Sequence, residues 1–303
     1  MIKKSLLEAQ NDFFAIWNQE FPDYPLTERI FQERIHSSAL IVPEGKYALY
    51  EDGRLLGLLC LKSGHPDDPT QNDVIFLSLI YIAPDFRHRG YGRLLIREAE
   101  NIARSLGKKY LLTGCDHDNL FSGVFVNKNE EVHQFFQREG FFVFDQNYNL
   151  LASTRLPEVD STHYRVAVSE EEKEAVLKLI SSHFYPRWFY DISLVPYQDL
   201  VLALDGDDIQ GFLHIADCRS PILPNSLSFY SRYRNLGGIG PLGLVPEARG
   251  KGFGKGMVIY AVNQLFDRGC SDVLVDWTDK TEFYIKCGFE KVCDHFIVYG
   301  RIL

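Results

Sequence analysis

Apolar residues along the chain follow two spacings, one typical of helices and one typical of strands. Between residues 170 and 182, Val176, Leu177 and Ile180 fall on one face of a predicted helix. Short apolar runs at 200–204 and 209–216 predict strands, and the Asp205-Gly206 pair between them indicates a hairpin turn. This part of the chain therefore begins as a helix followed by paired strands.

The pattern continues in the same half with a strand, a glycine-rich turn and a helix. The strand ends at Val245, directly before Pro246. The helix after the turn is predicted from apolar residues at the spacing i, i+3, i+4 and i+7, which are Val258, Ala261, Val262 and Leu265. A further strand is predicted at 273–277, and a helix that carries Phe283 and Tyr284 follows it.

The first half of the chain repeats this order of elements. Its glycine turn matches the later one at an offset of 162, with Arg87, Gly90 and Gly92 against Arg249, Gly252 and Gly254. Residues 135–141 match residues 283–289 at an offset of 148, because a longer loop at 116–129 intervenes. The apolar residues of the first post-turn helix are Leu95, Ala99, Ile102 and Leu106. A third match lies upstream, where Asp52-Gly53 to Gly57 resembles Asp205-Gly206 to Gly211. Three matches in one order indicate an internal repeat.

The repeat and the length of 303 residues together predict two domains. We place them at 1–155 and 160–303, with the polar stretch 153–163 around Pro157 as the linker. The predicted fold class is α/β, in the α+β sense of a mixed sheet. Each domain is expected to be a mixed, mostly antiparallel sheet flanked by helices.

Composition narrows the classes of function. The net charge of −9 argues against a nucleic-acid partner, which requires a basic face. No run approaches a membrane span, and the polar residues after Lys3 and Lys4 do not fit a signal peptide. Six scattered cysteines without CxxC spacing fit reduced thiols in a cytoplasmic protein and make a metal site unexpected. The oligomeric state is left open.

The glycine turns have a physical use when a strand precedes them and a helix follows. Glycine lets the backbone approach a ligand closely, and successive N–H groups with the helix N-terminus then form a cradle for a pyrophosphate. The cations beside the two turns are Arg87, Arg89 and Arg93, and Arg249, Lys251 and Lys255. A lone turn of this kind could serve chain reversal only. A Rossmann site would need a parallel βαβ unit and an acid about 20 residues later.

The strand, proline and glycine turn occur twice, and so does the helix end at residues 135–141 and 283–289. In these two features the chain resembles the GNAT superfamily of N-acetyltransferases, in two copies in tandem. The resemblance covers about residues 45–150 and 198–300, and it implies that acyl-CoA lies between two splayed strands. Acetyl-CoA is the expected donor, and no metal is expected. The implied CoA contacts are Leu244, Val245, Arg249, Gly250, Lys251, Gly252, Phe253, Gly254 and Lys255 in the second copy, and Ile82, Ala83, Arg87, Arg89, Gly90, Tyr91, Gly92 and Arg93 in the first.

The two copies differ at one position that matters for catalysis. The resemblance implies that Tyr284 lies beside the CoA sulfur, where its phenol can protonate the departing thiolate. The first copy has Phe136 there, which has no proton to donate. The second copy is therefore expected to be catalytic and the first possibly degenerate. Tyr284 could also be a core aromatic.

The base that deprotonates the amine is not evident from the sequence. Family members often carry a glutamate near the strand before the turn, but residues 237–245 are uncharged. Asp276, His214 and Asp217 are the candidates, and the backbone N–H of Leu244 is expected to stabilise the oxyanion. The aromatic stretch 183–190 could line the acceptor pocket or fill a core. Residues 116–119 fit a polar loop better than a metal site, and Cys287 fits a core position better than a nucleophile.

Together these observations predict an acyl-CoA-dependent N-acyltransferase that acts on a small-molecule amine by direct attack in a ternary complex. The alternative is a non-catalytic CoA-binding or interaction protein. The sequence does not identify the amine.

Overall fold

The computed structural model of the chain describes residues 1–127 and 129–303. It divides into two compact units. The first unit comprises Met1–Gln146 together with His295–Leu303, and the second comprises Asn147–Asp294. Among the described residues, none of the helices combines the length and the apolarity that crossing a membrane requires.

The first unit alternates helices and strands. Its elements are β1 (Ile2–Lys4), α1 (Leu6–Glu20), α2 (Glu28–Phe31) with a π-helical turn (Gln32–His36), β2 (Ile41–Glu51), β3 (Arg54–Ser63), β4 (Val74–Ile82), α3 (Tyr91–Ser105), β5 (Tyr110–Thr113), β6 (Val124–Phe125), α4 (Glu130–Arg138) and the start of β7 (Phe142–Ala152). Ser5 caps α1 in a capping box, since its Oγ accepts from the Glu8 N–H and its own N–H donates to the Glu8 carboxylate.

The second unit repeats this order from the rest of β7 onward. Its elements are β8 (Tyr164–Val166), α5 (Glu170–His183), α6 (Pro186–Ser193), β9 (Leu200–Asp205), β10 (Asp208–Asp217), β11 (Leu236–Leu244), α7 (Phe253–Asp267), β12 (Asp272–Thr278), α8 (Thr281–Cys287) and the start of β13 (Lys291–Ile302). The strands and helices predicted here from periodicity agree with these bounds to within a residue or two.

Each unit has a mixed sheet in which antiparallel pairs predominate. In the first unit the order is β1, β2, β3, β4, β5 and the end of β13, and among the described strand pairs only β4 and β5 run parallel. In the second unit it is β7, β12, β11, β10, β9 and β8, and only β11 and β12 run parallel. The predicted fold class is confirmed.

The parallel pair of each unit separates partway along. Pairing between β4 and β5 covers residues 74–77 and 110–113, and pairing between β11 and β12 covers residues 236–239 and 272–275. Beyond those points the described pairs stop, while β4 continues to Ile82 and β11 to Leu244. We call the resulting openings the first gap and the second gap.

The post-turn helices pack on the sheets through the predicted faces, with one exception. Val258, Ala261, Val262 and Leu265 of α7 are all fully buried, as are Leu95 and Ala99 of α3. Leu106 is 47% exposed, because α3 ends at Ser105 and the helical spacing no longer applies there.

Residues 153–163 lie within the second unit. There Leu156 is buried in the core, and its N–H donates to Asn263 Oδ1. The predicted linker thus contributes a core side chain. The limits 1–155 and 160–303 for independently folding domains stay predictions.

Candidate active site

The second gap opens where β11 leaves its ladder. The pairing of β10 with β11 shifts between Leu213 and Ile215, and Gly240 in the opposing stretch has φ +122°. Because only glycine takes that conformation readily, the bend is encoded at one residue. The end of β11, including Leu242 and Leu244, is thereby turned toward the gap.

The glycine turn after β11 is built as the sequence predicts. A 3₁₀ turn (Pro246–Ala248) follows the strand, and Gly252 at φ +91° begins α7. A Cβ added at Gly250 or Gly252 would meet open space, so the turn leaves room for a ligand. Arg249 Nε donates to the Leu244 carbonyl at 3.2 Å, which ties the turn to the end of β11.

The first unit has the same turn in the same conformation. Gly90 begins α3 at φ +85°, and Arg87 Nε donates to the Ile82 carbonyl at 3.0 Å. The repeated arginine therefore has a local structural role in both turns, whatever it adds toward a ligand.

The two turns differ in how their cations are paired. In the first unit the Arg87 guanidinium lies 2.6 Å from the Glu20 carboxylate, and Arg93 lies 2.9 Å from Glu139. The second turn has no such ion pairs, judged over residues 1–127 and 129–303. Its unpaired cations are Arg249, Lys251 and Lys255. Among the described residues, the second turn thus has three cations without an ion-pair partner, and the first turn has Arg89 alone.

A cavity of about 700 Å³ lies beside the second gap. It is lined by aromatic residues from the segment after α5, by apolar residues of β11, and by the glycine turn. The lining residues are His183, Phe184, Tyr185, Trp188, Leu242, Leu244, Arg249, Gly254 and Phe283. Half of the predicted aromatic stretch therefore faces a space that also touches the turn.

The first unit has a cluster of aromatic side chains that includes Tyr81 of β4. Trp17 of α1 lies 5.2 Å from Phe121 and 5.7 Å from Tyr81, measured between ring centroids. Tyr24 stacks on Phe125 at 4.3 Å. Phe121 and Phe125 come from the long loop between β5 and α4, the same insertion that separates the two repeat offsets.

Two of the residues predicted to pair with the donor use their backbone groups internally. The Val245 N–H donates to the Gln210 carbonyl at 2.9 Å, and the Ala83 N–H donates to the Leu56 carbonyl at 2.9 Å. Because backbone groups alternate between the two sides of a strand, Leu244 and Ile82 face the gaps instead. Leu244 and Ile82 therefore present their N–H groups to the gaps, while their carbonyls accept from Arg249 and Arg87.

Tyr284 lies in the core of the second unit and is 7% exposed, whereas its neighbour Phe283 lines the cavity. Burial raises the pKa of the Tyr284 phenol, with smaller contributions from Cys287 and Asp276. The phenol therefore stays protonated at neutral pH. Burial also raises the pKa of Cys287 to about 11, so this thiol is not a ready nucleophile.

The structure separates the three candidate bases. Burial lowers the pKa of His214 to about 4, and its Nδ1 lies 3.2 Å from the Gly240 carbonyl. Asp217 is paired with Arg219 at 2.8 Å, and hydrogen bonds from that arginine lower its pKa. Asp276 is half-buried, and its Oδ1 lies 3.8 Å from the position that a Cβ on Gly240 would take. Of the three, Asp276 lies on β12 directly after the last residue that pairs with β11.

Sequence reasoning missed Trp277 and Glu20. Trp277 has φ +45°, and the Arg187 guanidinium lies 4.4 Å from its ring centroid. Glu20 accepts from Arg87 and from the Tyr81 hydroxyl at 2.7 Å. A tryptophan at a strand end was a visible signal for the first. Nothing in the sequence indicated the pairing of Glu20 with Arg87, because 67 positions separate the two residues.

The polar loop at 116–119 is used within the first unit. Asp116 forms a fully buried ion pair with Lys62 of β3 at 2.8 Å and also accepts from the Ser78 hydroxyl. Among residues 1–127 and 129–303, no group of three His, Cys, Asp or Glu side chains could hold a metal ion.

A protein-family model described as the acetyltransferase (GNAT) family matches residues 4–141 and 165–289. The two matched stretches confirm the tandem repeat predicted from the sequence. No sequence among the curated proteins matches the chain.

Several solved structures share the fold over nearly the whole chain. A GCN5-related glucosamine N-acetyltransferase region of a fungal multi-domain GH3 β-N-acetylglucosaminidase has TM-score 0.85 and 20% identity, over 99% of this chain and 38% of that one. A GCN5-related N-acetyltransferase from Sphaerobacter thermophilus has TM-score 0.71 and 13% identity, over 99% and 95%. A tandem GNAT protein of the clavulanic acid biosynthesis pathway has TM-score 0.66 and 13% identity, over 99% and 97%.

Proposed function

The chain belongs to the acetyltransferase (GNAT) family, and we propose that its second unit transfers the acetyl group of acetyl-CoA to a small amine. Acyl-CoA-dependent N-acyl transfer is the activity that the family and the tandem neighbours support. We also propose a cytoplasmic location, which fits six cysteines without a disulfide among the described residues.

The cations of the two glycine turns are paired differently, and this difference is the reason for placing the reaction in the second unit. A pyrophosphate at the second turn meets three cations without ion-pair partners among the described residues, whereas at the first turn it competes with Glu20 and Glu139. The CoA contacts predicted for the first unit would require these two ion pairs to break.

The proposed reaction is direct attack of the amine on the thioester in a ternary complex. Leu244 faces the gap and offers its N–H to the oxyanion. Tyr284, protonated at neutral pH, donates its proton to the departing thiolate. Cys287 remains a neutral core thiol, so no acyl-enzyme is formed on it.

D-glucosamine is the first acceptor to test. The glucosamine N-acetyltransferase region of the fungal GH3 β-N-acetylglucosaminidase shares the fold with TM-score 0.85. The chain spans 38% of that protein and shares 20% identity with it, so D-glucosamine is a proposal and is not carried over from that protein.

Titration calorimetry with acetyl-CoA tests the proposal, combined with a thiol-release assay on a panel of amines. We expect one site per chain and thiol release that depends on an amine. Lys251→Glu should raise the Kd for acetyl-CoA at least about tenfold, because it removes a charge-assisted contact of about 1.5–3 kcal/mol. Arg89→Glu, at the equivalent position of the first turn, should leave that Kd unchanged.

Lys178→Glu on α5 controls for the change in net charge alone. A second site that Arg89→Glu abolishes would return the first unit to the candidate enzymes. Binding without thiol release from any amine would favour a CoA-binding module, and an absence of binding would refute the proposal.

A further inference from the structure

His214 of β10 is a buried imidazole beside the point where β11 bends. Its Nδ1 lies 3.2 Å from the Gly240 carbonyl, and because a carbonyl oxygen only accepts, Nδ1 carries the proton and donates it. The other ring nitrogen, Nε2, is buried without a hydrogen-bond partner among the described residues. A buried polar atom without a partner destabilises the fold, so an apolar residue of similar size would be more stable here. The contact with Gly240 is the feature of His214 that such a residue could not supply.

Gly240 lies in a β-bulge that decides where the end of β11 points its backbone. Over the step from Leu213 to Ile215, β11 has one residue more than β10. Backbone groups alternate between the two sides of a strand, so an extra residue exchanges the sides to which all the following groups point. The Val245 N–H therefore reaches β10, and the Leu244 N–H faces the second gap.

The first unit anchors its equivalent bulge in a different way. Ser78 matches Gly240 at the offset of 162, and β4 has an extra residue there relative to β3. The Ser78 hydroxyl donates to the buried Asp116 carboxylate, which is ion-paired with Lys62. Gly240 has no side chain, so an anchor in the second unit can act only on its backbone. The hydrogen bond from His214 is an anchor of that kind.

The surroundings of His214 favour this role over that of a base. Burial lowers the pKa of the imidazole to about 4, and a group of such low basicity accepts a proton from an ammonium ion poorly. The carboxylate whose charge acts on it, Asp199, is itself ion-paired with Arg268 at 2.7 Å. At neutral pH the imidazole is therefore a neutral donor.

We propose that His214 is a positioning residue of the second unit. Its Nδ1–H holds the Gly240 carbonyl in the bulge, and the bulge in turn presents the Leu244 N–H to the thioester oxygen. The inference rests on the proposed function of the second unit. A misplaced donor stabilises the oxyanion less, so loss of the anchor slows the chemical step.

Three variants at position 214 test which ring nitrogen matters. The amide N–H of asparagine lies about as far from Cβ as Nδ1, that of glutamine lies about as far as Nε2, and leucine has no donor. We expect kcat to fall at least about tenfold in His214→Leu and His214→Gln, and to stay within about threefold of wild type in His214→Asn. The Kd for acetyl-CoA should remain nearly constant, because the glycine turn is unchanged.

The kinetics use saturating acetyl-CoA with D-glucosamine or, if that is not acetylated, with the fastest amine of the panel. Val176→Ala in the core beneath α5 is the control for stability, since it should lower the unfolding midpoint and leave kcat unchanged. The pH–rate profile of His214→Asn should keep the wild-type shape, because asparagine does not titrate. A His214→Asn enzyme as slow as His214→Leu would overturn the positioning role and return the imidazole to the candidate bases.

The amide chemical shift of Leu244 tests the anchor without catalysis. In isotope-labelled protein we expect His214→Leu to displace this resonance and His214→Asn to keep it close to the wild-type position. If no amine releases thiol, the proposed function fails, and the resonance still decides whether His214 holds the bulge. A Leu244 resonance that is the same in all three variants, or an unaltered kcat in His214→Leu, would refute the inference while the proposed function stands.

Discussion

At the scale of single residues, Tyr284 and Phe136 distinguish the two copies. Both are buried in equivalent helices, and Phe136 stacks on Tyr299 with ring centroids 5.2 Å apart. Only Tyr284 carries a proton that a thiolate can accept. The sequence already showed this difference, because a single side chain at one motif position decides it.

We expect Tyr284→Phe to lower kcat more than tenfold while the Kd for acetyl-CoA stays nearly constant. The phenol acts on the leaving thiolate and not on the bound donor, so the loss belongs to the chemical step. The rate of thiol release under saturating acetyl-CoA measures kcat. As the matched control, Phe136→Tyr in the first unit is expected to leave kcat unchanged. An unaltered kcat would leave Tyr284 with a packing role only.

His214 makes the stability of the second unit depend on pH. Burial keeps its imidazole neutral, with a pKa of about 4 against an ordinary value of about 6.5 in the unfolded chain. Above pH 6.5 both states are neutral, and the histidine has no effect. As the pH falls from 6.5 toward 4, only the unfolded chain takes up the proton, so stability declines by up to about 3 kcal/mol.

Urea unfolding at pH 5 and pH 7 measures this effect, and His214→Gln should reduce the difference. Trp188 and Trp277 report on the second unit, and a Trp17→Phe background removes the signal of the first. An equally steep pH dependence in His214→Gln would assign the slope to other groups.

At the scale of elements, the glycine turns were predictable from the sequence, whereas contacts between aromatic residues far apart in the chain were not. A strand, a proline, spaced glycines and a helix are local features, and the structure has them twice at φ +85° and +91°. The aromatic cluster of the first unit joins Trp17 of α1 to Phe121, over a hundred positions later. No local pattern reports such a contact, although the insertion that supplies Phe121 was visible in the offsets.

The buried ion pair between Lys62 and Asp116 belongs to the same scale. The sequence around Asp116 suggested a polar loop, and the structure shows what the loop does. It ties the loop after β5 to β3. Removing two charges from water costs about as much free energy as their mutual attraction returns. The pair therefore fixes the geometry of the loop rather than adding net stability.

At the scale of the whole molecule, the first unit takes its last strand from the end of the chain. Residues 300–302 pair with β5, and residues 296–297 pair with β6. Phe296, Val298 and Tyr299 are each about 1% exposed. Dividing the sequence at its midpoint does not predict that the last residues belong to the first unit, because strand pairing depends on positions in the folded structure and not on order in the chain.

Deletion of residues 295–303 is therefore expected to unfold the first unit. Each buried aromatic contributes about 3–5 kcal/mol, and a domain has only about 5–15 kcal/mol of stability. Hydrogen exchange should show lost protection in α1 and α3, with α7 still protected and acetyl-CoA still bound by the second unit. Ile302→Ala, at a side chain 69% exposed, is the control. Retained protection in α3 would show that the strand is dispensable.

The sequence by itself determined the repeat, the mixed fold, the two glycine turns and the family, since each depends on periodicity or on residues close together in the chain. Tertiary structure alone decided how the cations of the two turns are paired and which backbone N–H groups face a gap. Those outcomes depend on partners far apart in sequence, as Arg87 and Glu20 are, and they form only when the sheet brings its strands together.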